Sequence, residues 1–481
     1  MDVAKKNIKK RGRNAVSFEK NGWQYISVSG TPEERGFNYG FFCASAFKDV
    51  QSMLKYMIME DVGVTWESII EAGITALRPT IQDKFPEMWE EMSAIAKGCT
   101  AGGTPTTADE ILAWNNYYTL LDSWYPNQSK GSGEKHSSRE GGAKDHCSAF
   151  IAVGDYTHDR KIVMAHNSFT NFIDGQYYNV ILDIQPQHGH RILMQTFPCG
   201  IWSGTDFFVT SAGIMGTETT IGGFLPYENN YTIACRIRQA MQYGNTLDEY
   251  VEILKDGNSG DYANSWMFGD TRTQEIMVLE LGLKYTNVKR TKNGCFIGCN
   301  VAFDPKIRNL ECADTGYCDV RRHQGARQVR LPDLMEEYKG KIDVEIAEKI
   351  IGDHYDVYLE RINPCSRTVC SHYELDGREY MSDPSRPKPF QPRGAVDGSV
   401  CDSASASKMG FYMKYGSSCD IGFDAKSFCD KHRQWGHLLP YLKDRPSQPW
   451  TYFSSLDNSS KRKTPLFRKL KRKTRKRGVK I

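Results

Sequence analysis

A single polar stretch near residue 130 constrains the fold of this chain more than any other feature. Residues 127–144 (NQSKGSGEKHSSREGGAK) hold four glycines, four serines and six charged side chains, with no apolar residue beyond Ala143. Such a composition gives a flexible, solvated linker. Loops of this length inside a compact domain are uncommon and are often functional. The sequence differs in kind on its two sides. Before the linker, Trp23–Ser29 alternates as a strand, and then apolar residues recur every three or four positions through PEERGFNYGFFCASAFKDVQSMLKYM and ADEILAWNNYYTLLDSW, a helical period. FPEMWEEMSAIAKG between them reads as a helix capped at Gly98. After the linker, CSAFIAVGD, RKIVMAHN, YYNVILDIQ, HRILMQTF and TDFFVTSAGIMG read as short strands. Two helices (YTIACRIRQAMQYG and TLDEYVEILKD), two strands (ANSWMFGD and EIMVLELG), helices near 331–338 and 343–351, and an irregular C-terminal third complete the reading. Helices and strands arriving in runs predict α+β layers rather than βαβ units.

The 481 residues, 40% of them hydrophobic, are enough to bury a large core, which excludes a mostly disordered chain. No apolar run reaches about 18 residues, so no membrane-spanning helix is expected. The basic N-terminus has no apolar block behind it, so no secretory signal is legible and the sequence alone points to the cytoplasm. Charge is concentrated at the ends. Residues 461–481 carry twelve Lys and Arg and no acid, and residues 1–13 carry six bases and one acid. With the formal net charge at +4, ends of +12 and +5 leave about −13 for the body between them. The basic tail is suited to a polyanion, either nucleic acid or an anionic membrane surface, and the alternative is a merely solvated segment. Fourteen cysteines raise the question of metal. Cys295 and Cys299, Cys312 and Cys318, and Cys365 and Cys370 are spaced four, six and five apart, with no paired CxxC and no HxxxH. No standard zinc module and no cofactor are therefore expected.

Among those cysteines one position stands apart. The linker runs into Asp145-His146-Cys147, and Cys147 opens a strand. A cut between His146 and Cys147 would make Cys147 an N-terminus whose thiol is a nucleophile and whose α-amino group, with an ordinary pKa near 8, is its base. The bland alternative is a buried thiol packing as a small hydrophobe.

Several segments then resemble known proteins. GTPEERGFNYG (30–40), FPEMWEEMSAIAKG and ADEILAWNNYYTLL are similar to the entry motif and pro-segment helices of the acyl-coenzyme A:isopenicillin-N acyltransferase group. HCSAFIAV, MAHNSF, FPCGIWSGTDFFVTSAGIMGTETT and NSGDYANSWM resemble segments of the phospholipase B-like proteins, and TVCSHYE is like a later Cys–His motif of the acyltransferases. Both groups are N-terminal-nucleophile hydrolases. The resemblance implies a four-layer αββα sandwich in one large domain, assembled from two self-cleaved pieces. It divides the chain into a basic arm (1–13), a helical segment (14–126), a linker cut before Cys147 (127–146), a β-rich catalytic segment (147–458) and a basic tail (459–481). It implies that Cys147 is nucleophile and base, that Asn264 helps form the oxyanion hole, that His166 and Asn167 contact the amine or substrate, and that Glu218 and Thr219 line the cleft. His372 is read as structural. The implied reaction is acyl cleavage of an amide or ester through a Cys147 thioester, with a lipid or N-acyl small molecule as substrate. Transfer of the acyl group to a small amine is one alternative, and a catalytically silent fold tethered to nucleic acid by its basic ends is another. The phospholipase B-like proteins are usually lysosomal or secreted and glycosylated, which the leaderless reading does not match, although Asn127, Asn230 and Asn458 stand in N-x-S/T frames.

Overall fold

The computed structural model describes residues 9–11, 14–128, 147–204, 206–313, 315–379 and 388–455. His146, most of the linker, most of the basic arm and the basic tail lie outside the described residues.

Two sheets form the centre. The larger has ten strands, in the order Lys9–Arg11, Ala15–Lys20, Trp23–Gly30, Val180–Pro186, Ile192–Thr196, Phe207–Thr210, Ile214–Thr220, Asn264–Asp270, Glu275–Leu281 and Thr286–Thr291. All its neighbours are antiparallel except Trp23–Gly30, which runs parallel to Val180–Pro186 from Gln24 opposite Val180 to Gly30 opposite Pro186. The smaller sheet orders Gly294–Gly298, Cys147–Val153, Val163–Asn171, Asp397–Asp402, Gly410–Tyr415 and Thr451–Ser454, with Arg393–Ala395 also on Val163–Asn171.

Strand alternation sorts most of the apolar side chains of the described residues into three large cores. Between the sheets lie Ile151, Met164, Leu193, Val209, Met267 and Phe411. Ile26, Leu182, Met194, Phe208, Trp266 and Phe268 face the other way and pack on Phe47, Leu54, Ile95, Leu112 and Ile237 of a helical layer. On the far side of the smaller sheet, Phe150, Ala165 and Val400 meet Leu331, Leu334, Ile350 and Ile351 of helices His323–Glu337 and Val344–Ile351. The result is the expected four-layer αββα sandwich.

The entry motif builds the first helix. Thr31 accepts from Glu34 N at 3.2 Å while Glu34 Oε2 accepts from Thr31 N at 3.0 Å, a capping box with Pro32 in the first turn. That helix, Pro32–Val62, lies against Pro86–Ala101 so closely that glycine is required where they touch. A Cβ on Gly40 would sit 2.0 Å from Ile95 O, and one on Gly98 would sit 2.1 Å from Phe37 O. Gly98 is therefore a contact glycine inside the helix, not the expected cap; the helix continues to Ala101 and Gly102 takes the cap. Arg35, buried beside this crossing, donates to Glu91 Oε2 at 2.8 Å and to Glu87 Oε1 at 2.8 Å.

Two further readings change. Lys9–Arg11, inside the expected arm, form an edge strand with the Arg11 guanidinium 3.9 Å from the Phe41 ring centre. The C-terminal third is not irregular throughout: four of its strands complete the smaller sheet. Asp397–Asp402 (DGSVCD) is polar in composition yet buried from Asp397 to Cys401, because its neighbours satisfy its polar groups.

Candidate active site

Cys147 is the first described residue after the linker and the first residue of its strand, opposite Ser168. Ala149 and Ile151 on the same side of the strand belong to the core between the sheets, so the Cys147 thiol faces that gap. It is 2% exposed.

The main chain at Cys147 is gripped from behind. Its N–H donates to Asn300 Oδ1 at 3.1 Å, and its carbonyl accepts from Arg327 Nη1. Arg327 Nη2 also donates to Asn300 Oδ1, at 2.8 Å, and Nη1 reaches Ser148 Oγ at 3.1 Å. Asn300 Nδ2 donates to Thr220 O at 2.9 Å, tying the head of strand Cys147–Val153 to the larger sheet. Asn300 has φ +64°, a left-handed conformation that asparagine tolerates better than most residues.

Three buried carboxyls, Glu218, Asp206 and Asp397, act electrostatically on the thiol. The Tyr262 hydroxyl lies 3.1 Å from Glu218 Oε1 and 3.2 Å from Asp206 Oδ2, bringing those two acids together. Burial raises Glu218 well above the ordinary carboxylate range, and the adjoining Asp206 raises it further. Burial pushes Asp206 up to about 7. Asp397 accepts from Ser168 N at 2.9 Å and from Gln195 Nε2 at 2.7 Å, and burial pushes it up to about 6. The Cys147 thiol is itself held well above its usual value, first by burial and then by Glu218, Asp206 and Asp397, with Arg327 opposing. Cys147 is thus held as a neutral thiol.

The structure separates the residues that the sequence grouped. His166 stands opposite Ala149 on the neighbouring strand, and both its ring nitrogens are buried without a hydrogen-bond partner among the described residues. Burial pushes it down to about 3, so its ring is neutral. Thr219 is on the same side, because a Cβ on Gly298 of the smaller sheet would strike it. Asn167 turns to the opposite face. Its Nδ2 donates to Ile351 O at 2.9 Å and Ser418 Oγ at 3.0 Å, and its Oδ1 accepts from Ser148 N at 3.2 Å, so it anchors the outer helical layer and does not face the thiol. Alternation within one strand is the cause: neighbours 166 and 167 must point apart. Asn264 heads its strand opposite Thr220, whose carbonyl Asn300 holds, and both its amide atoms are buried without a partner among the described residues. A buried amide left unmatched by its own fold is unusual. Asn300, Arg327, Asp206 and Tyr262 went unmarked in the sequence, although Asp206 and Tyr262 lie inside the GTDFF and GDYANSWM segments.

The comparisons with known proteins fall on this same region. The family model described as Phospholipase B matches residues 102–278, which include Cys147, His166, Glu218, Thr219 and Asn264. The chain is similar to the phospholipase B family. It is 26% identical over 329 residues to a protein of Crotalus adamanteus named Phospholipase B, covering 61% of this chain and 56% of that one. A Putative phospholipase B-like 2 of Rattus norvegicus is 28% identical over 141 residues, covering 26% of this chain and 24% of that one. The match to the phospholipase B proteins thus spans about half the length of the first and a quarter of the second. The solved structure of Penicillin V acylase from Agrobacterium tumefaciens aligns with 11% identity and a TM-score of 0.31, over 56% of this chain and 83% of that one. Asn300 and Arg327 lie beyond the family match. No described helix is long and apolar enough to cross a membrane.

Proposed function

We propose that this protein is a self-processing hydrolase of acyl bonds in which Cys147, released from His146, is both nucleophile and base. The observation that carries the reading is the bond from the Cys147 N–H to Asn300 Oδ1 at the foot of a buried thiol. After cleavage the same oxygen would hold one proton of the new α-amino group and aim its lone pair toward the sulfur.

The chemistry has two stages. In maturation the Cys147 thiol adds to the carbonyl of His146, the peptide C–N bond breaks, and a thioester forms as the nitrogen takes the thiol proton. Water then hydrolyses that thioester to leave the His146 carboxylate and a free α-amine on Cys147. In turnover the amine takes the thiol proton and the sulfur adds to the substrate carbonyl. The Asn264 amide donates to the oxyanion, a contact typically worth about 3 kcal/mol. Collapse expels the alcohol or amine, which leaves with the proton from the α-ammonium, and water resolves the thioester. A lipid amide or ester is the substrate class that the likeness to phospholipase B supports. Burial raises both Glu218 and Asp206, which favours their protonated forms and so lessens the negative charge that opposes the attacking sulfur.

Mass spectrometry of the full chain tests the reading. We expect two pieces of about 17 and 38 kDa, scaled by residue count from 54.6 kDa, with Cys147 at the new N-terminus. Persistence of an intact chain that nevertheless hydrolyses acyl substrates would defeat it, as would cleavage that survives Cys147→Ala.

A further inference from the structure

Behind the smaller sheet, on the side away from the thiol, four side chains converge, only two of them close in sequence. They are His354, Cys370, His372 and Cys419. One ligand atom from each lies within 4.8 Å of all the others. Both cysteines carry free thiols. His372 Nε2 is 3.4 Å from Cys370 Sγ and 3.4 Å from Cys419 Sγ. Four donors around a zinc ion, with Zn–S near 2.3 Å and Zn–N near 2.0 Å in a tetrahedron, stand about 3.3–3.8 Å apart. The two measured separations fall in that range.

The surroundings are those of a metal site as well. His372 Nδ1 lies 2.7 Å from Glu374 Oε1. A carboxylate there fixes the proton on Nδ1 and turns the Nε2 lone pair toward the two sulfurs, the arrangement by which carboxylates orient metal-bound histidines. Ile421 N–H donates to Cys419 Sγ at 3.3 Å, as a backbone amide does to a metal thiolate. His354 Nε2 is buried with no hydrogen-bond partner among the described residues, an unmatched polar atom in a cluster of soft donors. Two thiols and two imidazoles form a set that favours zinc over magnesium or calcium.

We infer that His354, Cys370, His372 and Cys419 bind one zinc ion as a closed, structural Cys2His2 site. All four positions are protein side chains, so none is left for water or substrate. Binding releases the two thiol protons and joins three segments: 353–354 between helix Val344–Ile351 and strand Tyr355–Asp356, 370–372, and 417–421 after strand Gly410–Tyr415. The position explains what this would achieve. Val369, next to Cys370, accepts from Ser148 Oγ at 2.9 Å and from Asn167 Nδ2 at 3.2 Å. The ion would thus clamp the loop on which the back of the nucleophile strand rests.

The test uses the full chain, purified reduced and without chelator. We expect elemental analysis to find one zinc per chain, retained in Cys147→Ala and lost when Cys370→Ser and Cys419→Ser are combined. Cobalt(II) exchanged into the wild type should give thiolate-to-metal charge transfer and the intense visible bands of a tetrahedral ion. If the double variant does not fold, the wild type alone decides, because chelation should lower its unfolding midpoint and zinc should restore it. A folded, reduced wild type that takes up neither zinc nor cobalt(II) overturns the inference. So does peptide mapping that finds a Cys370–Cys419 disulfide, or cobalt(II) bound without thiolate bands.

Discussion

Asn300 holds the backbone N–H of Cys147 with one amide atom and the carbonyl of Thr220 with the other. One side chain therefore connects the head of strand Cys147–Val153 to the strand next to Asn264, across the two sheets. Because Asn300 sits at φ +64°, glycine can replace it without backbone strain. Asn300→Gly should lower unfolding stability by about 1–3 kcal/mol, the cost of leaving buried partners unmatched. It should also slow the appearance of the two fragments by at least about tenfold, one decade per 1.4 kcal/mol. Urea unfolding and a mass-spectrometric time course measure the two effects separately.

The Asn264 side chain makes no hydrogen bond within the described fold, so its removal should be felt in catalysis. Asn264→Ala in the matured protein should reduce kcat by about 100- to 1000-fold with a small change in KM. The urea midpoint should stay near that of the wild type. A variant with unchanged kcat would remove Asn264 from the oxyanion site.

The pH dependence of stability has two opposing sources, Asp206 and His166. An unfolded aspartate titrates near 4, whereas burial pushes Asp206 up to about 7. Between those values the folded chain holds the extra proton, so this contribution is full below pH about 4 and is lost as pH rises through 7. Asp206→Asn should flatten that loss and raise stability at pH 8. His166 acts with the other sign. Its folded value of about 3 lies below the unfolded value near 6.5, so its contribution is present above pH about 6.5 and is lost on acidification. His166→Gln should remove that acid-side loss. Urea titrations of both variants from pH 4 to 8 check each slope by itself.

Gly98 predicts a packing defect. Its missing Cβ leaves room for Phe37 O, so Gly98→Ala should cost about 1–3 kcal/mol by forcing the two helices apart. Gly436→Ala is the control, because a Cβ there meets nothing within 4 Å, and it should be close to neutral. Paired thermal melts decide the matter.

How far this was legible in the sequence depends on the range of each interaction. Strand Cys147–Val153 and helix Pro32–Val62 are local patterns of period and capping, and they could be read directly. The alternation that separates His166 from Asn167 was also legible, since adjacent strand residues point apart, yet the two were grouped because they adjoin in sequence. Asn300 and Arg327 carry no local signal. Their importance comes from where strand Gly294–Gly298 and helix His323–Glu337 end in space, 153 and 180 residues from Cys147. Of the His354, Cys370, His372 and Cys419 cluster only the Cys370–His372 pair, in TVCSHYE, was legible; His354 and Cys419 join it only through packing. The strand Asp397–Asp402 was missed because its buried residues are polar and small, and composition reads such a segment as loop.

The parallel ladder from Gln24–Val180 to Gly30–Pro186 joins a strand that precedes the linker to one that follows it. A chain cut before Cys147 is therefore a single fold made of two molecules. Once unfolded and diluted, its pieces must find each other again, so recovery becomes second order and falls with concentration, whereas the uncut chain refolds at a rate independent of it. Maturation would make folding a one-way event: the protein is assembled as one chain, and after the cut it has no unimolecular route back.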